Sequence, residues 1–210
     1  MGATIVDLTS GNIQEVISVK KSDPYFCPEM AFSQSGDELF VGSQDRLYVY
    51  DLKTKKIIRR YPEGSDAELR LGYIKSDYRQ PKSIIYLPNK NLLALFYGNE
   101  VILRDSISLQ RVGAIDLLNI LPESADSMCS NQGGDRLYFG VSEISTGEKR
   151  WDIEIKVPGI FTLETDTGTL ISNYIVIDEN YNKFCRKVNC SPTGDLLIAD
   201  FGAFTKAFET

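Results

Sequence analysis

The chain has 210 residues, of which 42% are hydrophobic and 25% are charged, and these proportions exclude collagen, a disordered chain and a bundle of membrane spans. Its formal net charge of −6 disfavours nucleic acid as a partner, because phosphate binding needs a basic surface. The sequence contains no histidine, which excludes Ser-His-Asp and Cys-His hydrolases and most catalytic zinc sites.

The amino-terminal residues 1–8 show neither the basic segment nor the long apolar run of a signal peptide, and Asp7 interrupts the apolar stretch. The longest apolar runs, 84–87 and 92–97, are the length of strands and too short to span a membrane. The four cysteines are too few and too scattered for a disulfide framework. We therefore expect a cytoplasmic protein with reduced thiols and no membrane association.

Alternation of apolar and polar residues dominates the chain, and two turn motifs alternate along it. The first is a small polar turn between two short apolar strands, at 32–37, 86–91, 129–135 and 190–195. The second is an acidic residue that ends a strand before a polar corner, at positions 7, 51, 105 and 164. These acids lie 44, 54 and 59 residues apart. Because the two turn motifs alternate and each lies between two strands, one repeat of this length holds four short strands. Such a repeat is typical of a propeller blade and predicts an all-β chain, a β-propeller of four-stranded antiparallel blades.

Within these repeats, residues 31–54 resemble a WD40 repeat from the end of its first strand to the corner after its third. Residues 188–197 are similar to the start of another repeat. The Gly-His and Trp-Asp pairs of that family are absent, and Tyr50-Asp51 stands where Trp-Asp would be. The resemblance implies blades that are stabilised by packing, without the family's buried histidine-aspartate network.

The strand pattern predicts one propeller domain over 1–210, with complete blades at 25–61, 82–115 and 127–176. Partial blades are expected at both ends, with strands at 3–8 and 13–19 and further strands within 184–208. Joining the two ends would close a four-bladed ring. However, 203–208 reads as another strand that competes with 3–8 for the same place. Two alternatives follow: part of a larger propeller, completed by another chain or a second copy, or a closed four-bladed ring.

The connection from 62 to 81 is long for a compact domain, and long loops on rigid scaffolds are often functional. Its Arg70, Tyr73, Tyr78 and Arg79 belong to residue types that are enriched in interface cores. We interpret them as partner-binding residues, while Leu69 and its apolar neighbours offer the alternative of a cover between blades.

The only tryptophan, Trp151, follows Lys149 and Arg150, a composition enriched at interface hot spots. These three residues are the second group of candidate partner-binding residues, with packing between blades as the alternative for the tryptophan. We expect a loop at about 142–148, between the second and third strands of its blade, and Trp151 at the start of the third strand.

Other clusters have simpler interpretations. Cys129 and Cys190 occupy equivalent places before a turn, which favours buried thiols over a zinc site. The acidic pairs 164/166 and 178/179 fall in corners, where acids bond to the local backbone, rather than forming a glycosidase pair. No catalytic, cofactor or metal site is expected.

These observations predict a non-enzymatic scaffold for protein–protein interaction that binds other protein subunits. A propeller that binds glycans or small molecules, or a histidine-free hydrolase or lyase, is the alternative.

Overall fold

The computed structural model describes residues 2–6, 13–18, 29–43, 46–64, 78–150, 153–175, 185, 187–191, 196–200 and 205–209. Within these ranges, side chains are described except at 2–6, 13–18, 149–150, 153–155, 206 and 209. The regular structure of the described residues is β-strand, apart from short 3-10 helices at Pro88–Lys90 and Leu117–Asn119. The all-β prediction is therefore confirmed.

The chain divides into two compact units, and the first covers Met1–Pro81. Strands β1 (Gly2–Val6) and β2 (Ile13–Ser18) form an antiparallel pair. A four-stranded antiparallel sheet follows, in the order β3-β4-β5-β6. Its strands are β3 (Glu29–Phe32), β4 (Glu38–Gly42), β5 (Leu47–Asp51) and β6 (Lys56–Tyr61).

The second unit covers Lys82–Thr210 and contains three antiparallel sheets. The first sheet holds β7 (Ser83–Leu87), β8 (Leu92–Phe96), β9 (Glu100–Asp105) and β10 (Arg111–Asp116). The second holds β11 (Ser127–Ser130), β12 (Arg136–Arg150), β13 (Ile153–Glu164) and β14 (Leu170–Ile175). The third holds β15 (Lys187–Cys190), β16 (Leu196–Asp200) and β17 (Thr205–Glu209). Strands follow one another as sequential hairpins, which is the four-stranded meander that the repeats predicted.

The turn between the first and second strands is closed in the same way in three of the sheets. The backbone N–H of the first turn residue donates to the carbonyl five residues later, at 2.8 to 3.2 Å. The side-chain oxygen of that same residue accepts from the backbone N–H five residues later, at 3.1 Å in each sheet. The pairs are Ser33–Glu38, Asn131–Arg136 and Ser191–Leu196. The polar residues of the first turn motif are therefore the groups that close the turn.

The acidic corners after the third strands also repeat at the atomic level. The Asp51 carboxylate accepts from the backbone N–H groups of Lys53 at 2.9 Å and Thr54 at 2.7 Å. The Asp105 carboxylate accepts in the same way from Ile107 at 3.2 Å and Ser108 at 2.7 Å. These acids have the backbone-bonding role expected of acids in turns.

The acidic pair 164/166 lies in the matching corner of the second sheet of unit 2. Glu164 accepts from the Thr167 hydroxyl at 2.7 Å, and Asp166 forms an ion pair with Lys90 at 2.5 Å. Both carboxylates are therefore engaged in local or inter-sheet contacts. The pair 178/179 lies outside the described residues.

The core of unit 2 lies between its sheets. One cluster joins its first two sheets through Leu87, Phe96 and Phe139, with the two phenyl rings 5.9 Å apart. A second cluster joins its last two sheets through Tyr138, Val188 and neighbouring apolar residues. In unit 1, Leu39, Val41 and Tyr50 form a cluster of their own. Apolar inner strands thus bury their side chains between sheets, as propeller blades do.

The sheet nearest the carboxyl terminus differs from the arrangement in which strands from the two chain ends join to complete one blade. β17 pairs with β16 along its full length, from Leu196↔Glu209 to Asp200↔Thr205. The third place in this sheet is therefore taken by the competing strand predicted at 203–208, whereas β1 and β2 pair with each other in a two-stranded sheet. A hairpin partner that follows directly in sequence costs less loop-closure entropy than a strand from the other end of the chain.

Candidate protein-interaction surface

The second and third strands of the sheet at 127–175 continue far beyond its other two strands. β11 pairs only with residues 137–140 of β12, and β14 pairs only with residues 159–163 of β13. Residues 142–150 and 153–158 therefore form a two-stranded extension, which we call the arm. At about 3.3 Å per residue, the six residues 153–158 carry it about 20 Å beyond the sheet.

The arm replaces the loop that the sequence predicted at 142–148, so that prediction is wrong. Ser145 pairs with Lys156 and Lys149 pairs with Glu154, which makes these residues strand. The register shifts twice, between Val141 and Ile144 and between Ser145 and Lys149. Extra residues of this kind break the apolar–polar alternation that identifies a strand in a sequence.

The base of the arm is packed into unit 2. Ile144 and Val157 face each other across the two strands and are 6% and 7% exposed, as part of the main core cluster. A Cβ atom at Gly159 would lie 2.6 Å from Cδ1 of Ile144, so the missing side chain makes room for that isoleucine. The hydroxyl of Ser142 donates to the carbonyl of Cys185 at 3.3 Å. The arm therefore starts from a fixed base.

Beyond this base, the described side chains of the arm face solvent. Residues 145–148 and Lys156 are all exposed. An ion pair of 2.6 Å between Lys156 and Glu143 links the two strands, and both side chains are 48% exposed. Gly147 has φ +72°, and a Cβ atom there would meet nothing within 4 Å. The described side chains of the distal arm thus contribute little to the core.

The structure places two of the predicted partner-binding residues at the distal end of the arm. Lys149 and Arg150 are the last residues of β12, and β13 resumes at Ile153. Trp151 itself lies outside the described residues, between these two strand ends. The hairpin register therefore brings Lys149 and Arg150 to the distal end of the arm.

The first group of candidates, in the connection 62–81, is only partly described. Arg70 and Tyr73 lie outside the described residues, and Arg79 is exposed. Tyr78 is 8% exposed, and its hydroxyl donates to the carbonyl of Ser43 at 3.2 Å. Tyr78 is thus buried, with its hydroxyl bonded to a residue of unit 1, and leaves little surface for a partner.

A cleft that sequence reasoning missed lies between the last two sheets of unit 2. It has a volume of about 260 Å³. Tyr174 of β14 and Phe208 of β17 line it, with ring centroids 4.8 Å apart in an edge-to-face arrangement. Arg136 and Asn173 add polar groups to the same lining. Because β14 and β17 are distant in sequence, no local motif could have indicated this cleft.

Two cysteines that the sequence placed at equivalent turn positions lie against each other. The Sγ atoms of Cys129 and Cys190 are 3.1 Å apart, and both residues are half-buried. Donation from Cys129 to the Cys190 sulfur raises the pKa of the Cys129 thiol and lowers that of Cys190, and burial raises the Cys129 value further. Burial, with the nearby charges of Asp126 and Asp200, raises the pKa of the Cys185 thiol to about 12.

Two features are absent from the part of the chain that the structure describes. No helix in it is both long and apolar enough to cross a membrane. No group of three or more cysteine or acidic side chains in it is arranged to hold a metal ion.

Comparison with known proteins identifies the fold. No protein-family model matches the chain, and no curated protein matches it. Among solved structures, it is similar to the β-propeller domain of Cps50 (Swd1) from Myceliophteria thermophila, with a TM-score of 0.64 and 12% identity. That match covers 99% of this chain and 58% of the other.

A second solved structure gives the same kind of match. Hydrazine synthase from Kuenenia stuttgartiensis matches with a TM-score of 0.60 and 17% identity, over 93% of this chain and 48% of that chain. The chain thus spans about half to three-fifths of the length of these structures. Together with the antiparallel four-stranded sheets, the similarity shows that the chain has a β-propeller fold.

Proposed function

We propose that the chain is a non-enzymatic scaffold for protein–protein interaction, a WD40-like propeller subunit or segment of a larger assembly, and that the arm binds its partner. The observation that carries this proposal is the projection of the arm about 20 Å beyond a sheet that is already complete without it. The β-propeller fold is compatible with such a scaffold.

Beyond its base, the described part of the arm adds little to the stability of the chain itself. An isolated two-stranded hairpin is marginally stable in water, because it buries too little apolar surface. Beyond Ile144 and Val157, the described side chains of the arm are exposed. A feature that adds little to folding and projects from a rigid base is best explained by binding.

The fixed base also favours affinity. Ile144 and Val157 are buried in the core, and Ser142 donates to the carbonyl of Cys185, just before β15, so the proximal arm is ordered before a partner arrives. Less conformational entropy is then lost on binding, and more of the contact energy appears as affinity.

The residues at the tip favour a protein partner. Lys149 and Arg150 end β12, and the sequence places Trp151 next to them. Tryptophan and arginine dominate the energetics of protein interfaces, where a large ring and a guanidinium group can both be desolvated. A nucleic acid is disfavoured by the net charge of −6.

The test removes the arm while keeping its base. Residues 145–156 are replaced by Asn-Gly, which closes Ile144 and Val157 with a two-residue hairpin turn. Tagged wild type and variant are isolated gently from the protein's own cells and weighed by native mass spectrometry. We expect wild type to carry a stoichiometric polypeptide that the arm variant loses, with its melting temperature nearly unchanged.

Point variants locate the contact. Trp151→Ala should weaken capture at least tenfold, and Tyr73→Ala tests the connection 62–81 independently. Lys187→Ala is the matched control for Lys149→Ala, because Lys187 is an exposed lysine on β15 and not on the arm. Capture of the same polypeptide by the arm variant at wild-type level would overturn the role of the arm. A bare chain carrying only a small ligand would favour the cleft and a ligand-binding function instead.

A further inference from the structure

Cys129 and Cys190 come from neighbouring sheets, but their sulfur atoms are in direct contact. Cys129 is in β11 and Cys190 ends β15, 61 residues later in the chain. Their Sγ atoms are 3.1 Å apart. A disulfide bond requires about 2.05 Å, so each sulfur must move only by about half an ångström, which small side-chain rotations supply.

The backbone around the pair is already held in place. Val188 donates its N–H to the hydroxyl of Ser127 at 3.1 Å, which fixes β15 against β11. The two cysteines pack against the inter-sheet cluster that contains Tyr138 and Leu197. Bond formation would therefore need no rearrangement of the strands, and this is the main condition for an unstrained disulfide.

We propose that Cys129 and Cys190 form a reversible disulfide that covalently joins the last two sheets of unit 2, with a low-molecular-weight disulfide such as glutathione disulfide as the oxidant. The inference is independent of the proposed function, because it rests on these two sheets and not on the arm. It replaces the sequence-based interpretation that these residues are merely small buried hydrophobes.

The reaction proceeds in two exchange steps. The Cys190 thiolate attacks one sulfur of glutathione disulfide, forms a mixed disulfide and releases one glutathione thiolate, which takes up the proton lost by Cys190. Cys129 then loses its proton and attacks the Cys190 sulfur, which releases the second glutathione as a thiol. The protein loses two electrons and two protons, and glutathione disulfide gains both to become two glutathione molecules.

The order of the steps follows from the surroundings of each sulfur. The thiolate is the nucleophile in exchange, and the hydrogen bond from Cys129 lowers the pKa of the Cys190 thiol. Cys185 is fully buried and its pKa is raised to about 12, so we expect it to remain a thiol.

Peptide mapping of the wild-type chain tests the proposal directly. Trypsin places the four cysteines in four different peptides, 22–46, 112–136, 184–186 and 188–206. After equilibration with glutathione disulfide, acid quench and alkylation, we expect 112–136 to be linked to 188–206. The thiol count should fall from four to two, and dithiothreitol should restore it.

Matched variants separate this disulfide from other modifications. Cys129→Ser should stop at a mixed disulfide with one glutathione on Cys190, whereas Cys185→Ser should cross-link like wild type. Oxidation should raise the melting temperature of unit 2 by about 10 °C, because the bond closes a long loop, and this shift should vanish in Cys129→Ser. Four remaining thiols in wild type, or linkage of Cys190 to a peptide other than 112–136, would overturn the proposal.

Discussion

At the scale of single residues, small polar and glycine positions determine how the strands turn. Gly36 and Gly134 occupy the same place in two equivalent turns, with φ angles of +73° and +75°. Each donates its N–H to the carbonyl three residues earlier, at 3.0 and 3.1 Å. The two positions differ only in what surrounds them. A Cβ atom at Gly36 would meet nothing within 4 Å, whereas at Gly134 it would lie 2.8 Å from Cβ of Leu87.

This difference predicts unequal costs for the same substitution. Gly36→Ala should cost about 1 kcal/mol, the penalty of a left-handed backbone for a residue with a side chain. Gly134→Ala should cost about 2 to 4 kcal/mol, because the new methyl group also overlaps Leu87, including its Cα at 2.9 Å. Urea titration followed by hydrogen exchange of each sheet measures both. Equal losses would show that the neighbouring strand yields and that packing at Gly134 is loose.

At the scale of elements, the acidic corners connect one strand to the next. The pKa of Asp51 is lowered, chiefly by the backbone N–H of Thr54 and also by that of Lys53. Both bonds favour the charged carboxylate in the folded state. The Asp105 carboxylate accepts equivalent backbone hydrogen bonds, which shows that this corner structure is repeated in the fold.

The direction of this shift fixes a pH dependence. A folded-state pKa below the unfolded value stabilises the protein above about pH 5, and this contribution is lost as pH falls through the folded pKa. Carboxyl titration by NMR should give Asp51 a midpoint below its ordinary value of 3.8. Asp51→Asn keeps an acceptor without the charge, so its stability should change less than that of wild type between pH 5 and pH 3. An ordinary midpoint together with identical pH profiles would contradict this role.

The arm illustrates the limit of sequence reasoning at this scale. Its two register shifts place extra residues on β12. The residue pattern around Ser145 and Gly147 therefore lacks the alternation of a strand and resembles that of a loop. Strand identity there depends on pairing with Lys156 and Glu154 across the hairpin. The residue types that mark this region were nevertheless visible in the sequence, since Lys149, Arg150 and Trp151 are adjacent in it.

At the scale of the whole molecule, stability comes from apolar residues shared between sheets. Phe139 is fully buried in the main cluster of unit 2 and contacts the ring of Phe96 from the neighbouring sheet. Such a residue links two sheets, so its loss should affect both. The exposed Phe32 offers a matched comparison, since its side chain is 54% exposed on β3.

We expect Phe139→Ala to lower the free energy of unfolding of unit 2 by about 3 to 5 kcal/mol, through lost burial and the cavity left behind. Phe32→Ala should cost less than about 1 kcal/mol. Hydrogen exchange should rise in both β8 and β12 in the first variant and in neither in the second. Faster exchange confined to β12 would show that the two sheets do not depend on one another for stability.

The sequence by itself determined the fold class and the local chemistry of the turns. Alternation of apolar and polar residues specifies strands, and Ser33, Asn131 and Asp51 act on backbone groups within five residues of themselves. Such short-range interactions can be predicted from the spacing of residue types in the sequence alone. Only the tertiary structure decided the length of the arm, the pairing of β17 with β16, the aromatic cleft and the meeting of Cys129 with Cys190. Each of these depends on register, or on contact between segments far apart in the chain, and no local pattern specifies either one.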